Sequence, residues 1–346
     1  MVLTGPADGP PALPPSGLVP AATAMGEELS RLTAGGRPVE LDALAVLAER
    51  AAVAGLTRQG RRSCGGACEL LPTADGWLAV SLPRSEDAAM VPAWLRAEGP
   101  LPALVELVSR HPVAAVAGAV LLRDTIDRGV EHGLAAESAV YSVLQAGPEF
   151  TRWRAGRPLV EVAPTERPVV VERDGDVLTI TLDRPGRHNA VDRALRDGLA
   201  EALTIAVLDD SVTAVELRGN GPSFCSGGDL DEFGSFPDPA TAHASRLTRS
   251  PARLAHLLAD RLTVHLHGAC MGAGIEVPAF AGRVVATADA AIALPELGAG
   301  LVPGAGGTVS IPRRIGRHRT ALLALSGTRI DGRTALGWGL VDAVEG

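Results

Sequence analysis

Gly268-Ala-Cys-Met-Gly-Ala-Gly-Ile-Glu276 stands between an apolar run, Leu262 to Leu266, and a segment that reads as a helix. Gly272 to Gly274 would open that helix. The first N–H groups of a helix have no intrahelical partner, and its dipole is positive at that end. An anion developing there would meet free donors. A second stretch, Gly221-Pro-Ser-Phe-Cys-Ser-Gly-Gly-Asp229, follows the buried strand Ala214 to Arg218 directly. Its glycines let the main chain approach a ligand with N–H groups turned inward. A third runs Pro295-Glu296, then Gly300, Pro303 and Gly306-Gly307. Neither of the first two has the spacing of the dinucleotide fingerprint or of the Gly-x-Ser-x-Gly elbow. Singly, each reads more readily as a tight connection than as a site.

Outward from these loops the pattern is layered. Val169-Val-Val171 and Val177-Leu-Thr-Ile-Thr-Leu182 flank Asp174-Gly175, a hairpin signal. An amphipathic helix follows over Asp192 to Ala206, and then the strand Ala214 to Arg218. The alternation predicts an α/β fold. Ahead of it lies a helix-rich region with little strand. Helices are expected over Glu40 to Ala54, from Ser85 through Trp94, and over Leu101–Arg110, Pro112–Ile126 and Leu134–Leu144, with a short strand at Trp77–Leu82. Residues 1–24 are rich in Pro, Gly and Ala and read as a tail. The resulting division is 1–24, a helical domain 25–156, a linker 157–167 and an α/β domain 168–346.

In this order the motifs are more specific than any is alone. They are Leu182-Asp-Arg-Pro185 with Asn189-Ala190, Phe224-Cys-Ser-Gly-Gly-Asp229, Met271-Gly-Ala-Gly-Ile-Glu276, Leu294-Pro-Glu296 and Gly304-Ala-Gly-Gly307. Leu325-Ser-Gly-Thr-Arg-Ile330 and Gly339-Leu-Val341 follow. The C-terminal half resembles the enoyl-CoA hydratase/isomerase (crotonase) family. The resemblance implies a ββα spiral core, preceded here by a mainly helical extension. It implies an acyl-CoA substrate, with coenzyme A as part of that substrate and no separate cofactor or metal. By position, the N–H groups of Gly228 and Ala273 match the oxyanion hole for the thioester oxygen. Glu276 and Glu296 match the two carboxylates of the hydratase branch. Ser226, Gly228 and Leu230, with Arg187, His188 and Ala190, match the segments that lie along the CoA. Other readings of single residues are plainer: Glu276 as a first-turn acid facing a dipole, Glu296 and Asp231-Glu232 as solvated carboxylates, Cys225 and Cys270 as packing residues, and His265 and His267 as satisfied polar groups.

Three departures from the family accompany the resemblance. Gly186 and Asp231 stand where members carry basic residues for the CoA phosphates, leaving Arg187 or Arg193 to substitute. The sequence reaches Gly346 soon after Gly339-Leu-Val341, where members continue into C-terminal helices. The N-terminal region, through Gly60-Arg-Arg-Ser-Cys-Gly-Gly-Ala-Cys68, Asp75-Gly-Trp-Leu-Ala-Val-Ser-Leu82 and Pro92-Ala-Trp94, faintly resembles part of a family III CoA-transferase.

Composition agrees with a small-molecule enzyme. With 346 residues and 46% apolar, the chain can bury a sizeable core. A net charge of -8 argues against nucleic acid. All 32 basic residues are Arg, which removes a Schiff-base or P-loop lysine. Four cysteines are too few and too scattered for a disulfide framework, and Cys64 and Cys68 lack a matching pair for zinc. No apolar stretch is long enough to span a bilayer. The expectation is a cytoplasmic homo-oligomer, a trimer or hexamer, that hydrates or dehydrates an acyl-CoA. An isomerase or other crotonase-type lyase is the nearest alternative. A CoA-ester-binding or scaffold protein without turnover is the alternative of a different class.

Overall fold

The computed structural model describes residues 68–73, 76–81, 106–124, 128–157, 167–236 and 238–345. The chain divides into two compact units, Met1–Ala97 and Glu98–Gly346. In the first, β1 (Cys68–Thr73) and β2 (Gly76–Ser81) pair antiparallel, with Cys68 opposite Ser81. The strand expected at Trp77 is β2. The helices expected over Glu40–Ala54 and Ser85–Trp94 lie outside the described residues.

The second unit shows a helical stretch over 106–110, the described end of the helix expected at Leu101–Arg110, and then α1 (Pro112–Asp124), α2 (Val130–Gln145) and α3 (Pro148–Ala155). Helix α2 starts four residues before the expected Leu134. Proline suits the first position of α1, where no N–H is needed. The next two N–H groups of α1, from Val113 and Ala114, donate to Glu149 of α3 at 2.9 and 3.1 Å. Glu149 is buried and caps α1 from another element.

The sheet follows. β3 (Val169–Asp174) and β4 (Val177–Leu182) form the expected hairpin, with Asp174 still paired to Val177 and Gly175 at φ +60° in the turn. Helix α4 (Arg193–Leu208) is capped by Asp192, whose carboxylate accepts from Leu195 N–H. Then come β5 (Ala214–Gly219), α5 (Pro239–Thr248), α6 (Pro251–Leu257), β6 (Leu262–Leu266), β7 (Ala269–Met271) and the single turn α7 (Ala273–Glu276). β8 (Arg283–Thr287), β9 (Ala291–Ala293), α8 (Gly307–Ser326), α9 (Gly332–Trp338) and β10 (Ala343–Glu345) complete it. The six-stranded sheet has the order β10-β8-β6-β5-β4-β3, parallel except for β3 against β4. β7 and β9 form a separate parallel pair.

The strand period of two explains the core. Leu178, Ile180 and Leu182 of β4, Val215 and Leu217 of β5, and Leu262, Val264 and Leu266 of β6 all point to one face and are buried. Leu195, Leu199 and Leu203 recur every four residues on α4 and join the same cluster. A second cluster joins Ala114, Tyr141 and Phe150 of α1–α3 to Leu297, Leu301 and Val302. The helical extension thus packs directly on the segment that follows Glu296.

Asn189 ties the Gly221–Asp229 loop to the hairpin. It has φ +53° and no exposed surface. Its side chain accepts from Arg184 N–H at 2.7 Å and donates toward the carbonyls of Asn220, Ser223 and Phe224 at 2.9 to 3.0 Å. Asparagine tolerates this left-handed backbone better than most residues. Removing the amide would orphan several buried groups. Asn189→Ala should therefore lose about 3 kcal/mol of stability by denaturant unfolding. A loss near zero would mean that water replaces these bonds.

Candidate active site

The two Gly-rich loops meet backbone to backbone. Cys225 N–H donates to the Ala269 carbonyl, and Met271 N–H to that of Cys225, both at 3.0 Å. Gly274 is needed for this contact, since a Cβ there would stand 2.2 Å from the Cys225 oxygen. The pairing sets Gly227 against the Met271 carbonyl. Among the described residues, no acceptor is found for the N–H of Gly228 or of Ala273. These are the two donors expected to hold a thioester oxygen.

Glu276 and Glu296 converge on Gly272. A Cβ at Gly272 would lie 2.2 Å from Glu296 Oε1 and 3.6 Å from Glu276 Oε1. Gly272 has φ +49°, so glycine is demanded by conformation and by space. Glu276 is 1% exposed, and its Oε2 accepts from the N–H groups of Ala305 (2.7 Å) and Gly307 (2.8 Å). It therefore serves the start of α8, not the dipole of its own single turn. Glu296 is no surface carboxylate either. Its Oε2 is buried and has no hydrogen-bond partner among the described residues. Burial, then the charges of Glu296 and Glu137, raise the Glu276 carboxyl well above the usual range, while its two N–H bonds oppose them. Burial pushes Glu296 up to about 8, its own N–H opposes this, and Glu137 adds to the rise.

The residues expected along CoA form one strip. Ser226 N–H donates to the His188 carbonyl, Val191 N–H to that of Gly227 and Asp229 N–H to that of Val191, at 2.7 to 2.9 Å. Ser226 and Gly228 are half-buried, His188 and Leu230 exposed, and Ala190 buried. His188 bonds Ser223 Oγ through Nδ1. Arg187 is already paired, with Asp229 at 2.9 Å and Asp231 at 2.5 Å. Asp231 is accordingly an ion-pair partner and not a freely solvated acid. Behind them, buried Arg184 pairs with Asp229 at 2.7 Å and Asp192 at 3.1 Å. Burial alone would raise Asp229, but the bonds from Arg184, Asp231 N–H and Arg187 outweigh it and hold its carboxyl below the usual range.

Cys225 and Cys270 are buried thiols, with Cys225 pushed up to about 12 by burial. They are packing residues. His265 faces Glu216 and Arg218, and His267 bonds the Gly221 carbonyl. No group of three or more potential metal-binding side chains occurs among the described residues.

A cavity of about 120 Å³ reaches Ala273 and Gly304–Gly306, with apolar walls from Leu182, Leu217, Phe224 and Val277. Helix α2 closes it with Leu134, Glu137 and Ser138, and α5 adds Arg246. Sequence reasoning missed Glu137, Tyr141 and Arg246. A signal was present for Glu137. Leu134, Glu137 and Tyr141 share one face of α2, so an acid occupies a core position of the helical repeat.

The raised carboxyls have a consequence for stability. With its folded pKa near 8, against 4.5 as the ordinary value, Glu296 keeps its proton in the native state where the unfolded chain loses it. Its contribution is complete below about pH 4.5 and is lost as pH rises through 8. Glu296→Gln should melt above the wild type at pH 8, with the gap closing toward pH 4.5. A gap independent of pH would contradict the placement of Glu296 in a dry site.

Comparison with known proteins agrees with this geometry. The family described as enoyl-CoA hydratase/isomerase matches residues 172–345. The chain is 35% identical to the 2,3-dehydroadipyl-CoA hydratase of Escherichia coli (strain K12) over 178 residues, 51% of this chain and 68% of that protein. It is 31% identical to the putative enoyl-CoA hydratase/isomerase YngF of Bacillus subtilis (strain 168), over 48% of this chain and 64% of that one. The enoyl-CoA hydratase structure from Thermoplasma volcanium GSS1 aligns at 35% identity over 51% of this chain and 71% of its own, with a TM-score of 0.48. The chain thus spans about two thirds of the length of the relatives it matches, and it belongs to the enoyl-CoA hydratase/isomerase family.

Proposed function

We infer that this protein is an enoyl-CoA hydratase-type enzyme, adding water to an unsaturated acyl-CoA or removing it from a 3-hydroxyacyl-CoA. The observation that carries the reading is the convergence of two carboxylates on Gly272, Glu276 buried and Glu296 half-buried with its Oε2 sealed from water, next to the unengaged Ala273 N–H. Two carboxylates so close do not both ionise readily, so one retains a proton. The N–H bonds from Ala305 and Gly307 favour the anion on Glu276, and the unpartnered oxygen of Glu296 favours the acid there.

Hydration then runs as follows. Glu276 takes a proton from water as the water oxygen bonds Cβ. The π pair of the Cα=Cβ double bond shifts to join Cα and the carbonyl carbon, and the carbonyl π pair moves onto the thioester oxygen, where Gly228 and Ala273 N–H groups stabilise the enolate. Glu296 delivers its proton to Cα as the enolate collapses, and proton exchange between the carboxyls restores the starting state. Dehydration is the reverse. No cofactor is required beyond the CoA of the substrate. The strip Arg187–Ala190 and Ser226–Leu230 is the proposed CoA site.

The exposed valines Val113, Val116, Val120 and Val143 of α1 and α2 support a homo-oligomer, a trimer or hexamer. The unpaired buried thiols suit a reducing, cytoplasmic setting. The resemblance of Gly60–Trp94 to part of a family III CoA-transferase would make that region a relic of another CoA enzyme.

The test is a screen of enoyl- and 3-hydroxyacyl-CoA esters without added cofactor, followed by the ultraviolet band of the conjugated thioester. On a substrate so found, Glu276→Gln and Glu296→Gln should each lower kcat by about 100-fold or more, with ester binding little changed. Ala273→Pro, which deletes the N–H, should lose about 3 kcal/mol of transition-state stabilisation, and Ala273→Gly should keep most activity. Wild-type turnover in both glutamate variants would refute the mechanism. Loss in only one would make an isomerase or another lyase the better reading.

A further inference from the structure

The start of α8 is held by two carboxylates, not one. Ala305 N–H and Gly307 N–H donate to Glu276 Oε2. Gly306 N–H donates to Glu137 Oε1 at 2.6 Å, and Thr308 N–H to Glu137 Oε2 at 2.8 Å, joined there by the Thr308 hydroxyl at 2.6 Å. Four consecutive amides therefore alternate between the two acids. Glu137 is 1% exposed and lines the cavity that reaches Ala273. It comes from α2, outside residues 172–345 that match the family.

We propose that Glu137 is a positioning residue of the active site, by which the helical extension fixes the 305–308 loop and sets the charge on Glu276 and Glu296. The proposal rests on the reading of those two glutamates as the acid and base. Its groups are all identifiable. Ser138 and Tyr141 lie beside Glu137 on α2. Arg246 of α5 bonds Ser138 and sits over the Tyr141 ring, and His243 also bonds Ser138. Thr308 faces it from α8, Glu276 from α7, and Glu296 from the turn after β9. Among the described residues no carboxylate pairs directly with Arg246, whose charge favours the ionised Glu137. Burial works against it and pushes Glu137 up to about 7. Ionised Glu137 raises both catalytic carboxyls by like-charge repulsion. Three acids in one dry site share fewer than three charges.

Glu137→Gln keeps an acceptor for the loop and removes the charge. Both limbs of the pH profile of kcat/KM should then move to lower pH, by on the order of one unit. Glu137→Asp keeps the charge and should leave the limbs in place while kcat falls. Should the Gln variant not fold, Thr308→Val withdraws the hydroxyl that favours the ionised Glu137 and leaves every backbone donor in place. It should shift the limbs in the same direction. Unmoved limbs in the Gln variant, or in Thr308→Val if that is the one examined, would reduce Glu137 to a helix cap and overturn the proposal. The hydratase reading would survive that outcome, because it stands or falls on Glu276→Gln and Glu296→Gln.

Discussion

Four amides in a row, from Ala305 to Thr308, find their acceptors in two buried carboxylates, and the molecule is arranged to supply them. A helix that begins in the interior cannot leave its first N–H groups bare. Gly304, Gly306 and Gly307 offer no side chain that could cap α8 locally, so carboxylates are brought in from elsewhere. Helix α7 supplies Glu276 and helix α2 supplies Glu137. Each acid is stabilised by the donors it satisfies and by the positive end of α8. The same contact explains why two separate parts of the sequence form one unit. Glu149 of α3 repeats the device, capping α1 with an acid from another helix.

Placing several acids in a dry interior has an electrostatic cost, because burial and mutual repulsion both disfavour the charged forms. The molecule accepts this at Gly272. Glycine is forced there twice, by a positive φ and by the Glu296 Oε1 that occupies the space of a Cβ. A group with a raised pKa close to an unengaged N–H donor is suited to moving protons beside a forming oxyanion. Raised acids gathered at one point are a burden to stability.

The strip proposed for CoA follows a different logic. Charge there is paired and not frustrated. Arg184 is buried between Asp192 and Asp229, and Arg187 bridges Asp229 to Asp231. Every charge faces an opposite one, which fixes the segment 184–192 against the loop 226–229. Arg187 therefore works first as a structural tie. Phosphate recognition by it would require competition with two carboxylates.

The fold was legible in the sequence wherever a local rule applied. Strand alternation in Val177–Leu182, the amphipathic repeat of α4 and the ordered Gly-rich loops all follow from near neighbours along the chain. So do Glu276 and Glu296 as candidates, because their motifs are continuous. The pairing of Arg187 with Asp231, 44 residues apart, was not legible. Nor was Glu137, which sits 169 residues from Gly306, the group it serves. The sequence showed only an acid on an apolar helix face. Hydrogen-bond acceptors have no sequence period, so the partner of a buried carboxylate is decided by which backbone the packing brings beside it. The sequence by itself determined the elements and the motif acids. Only the tertiary structure decided that a third acid, from the helical extension, completes the set.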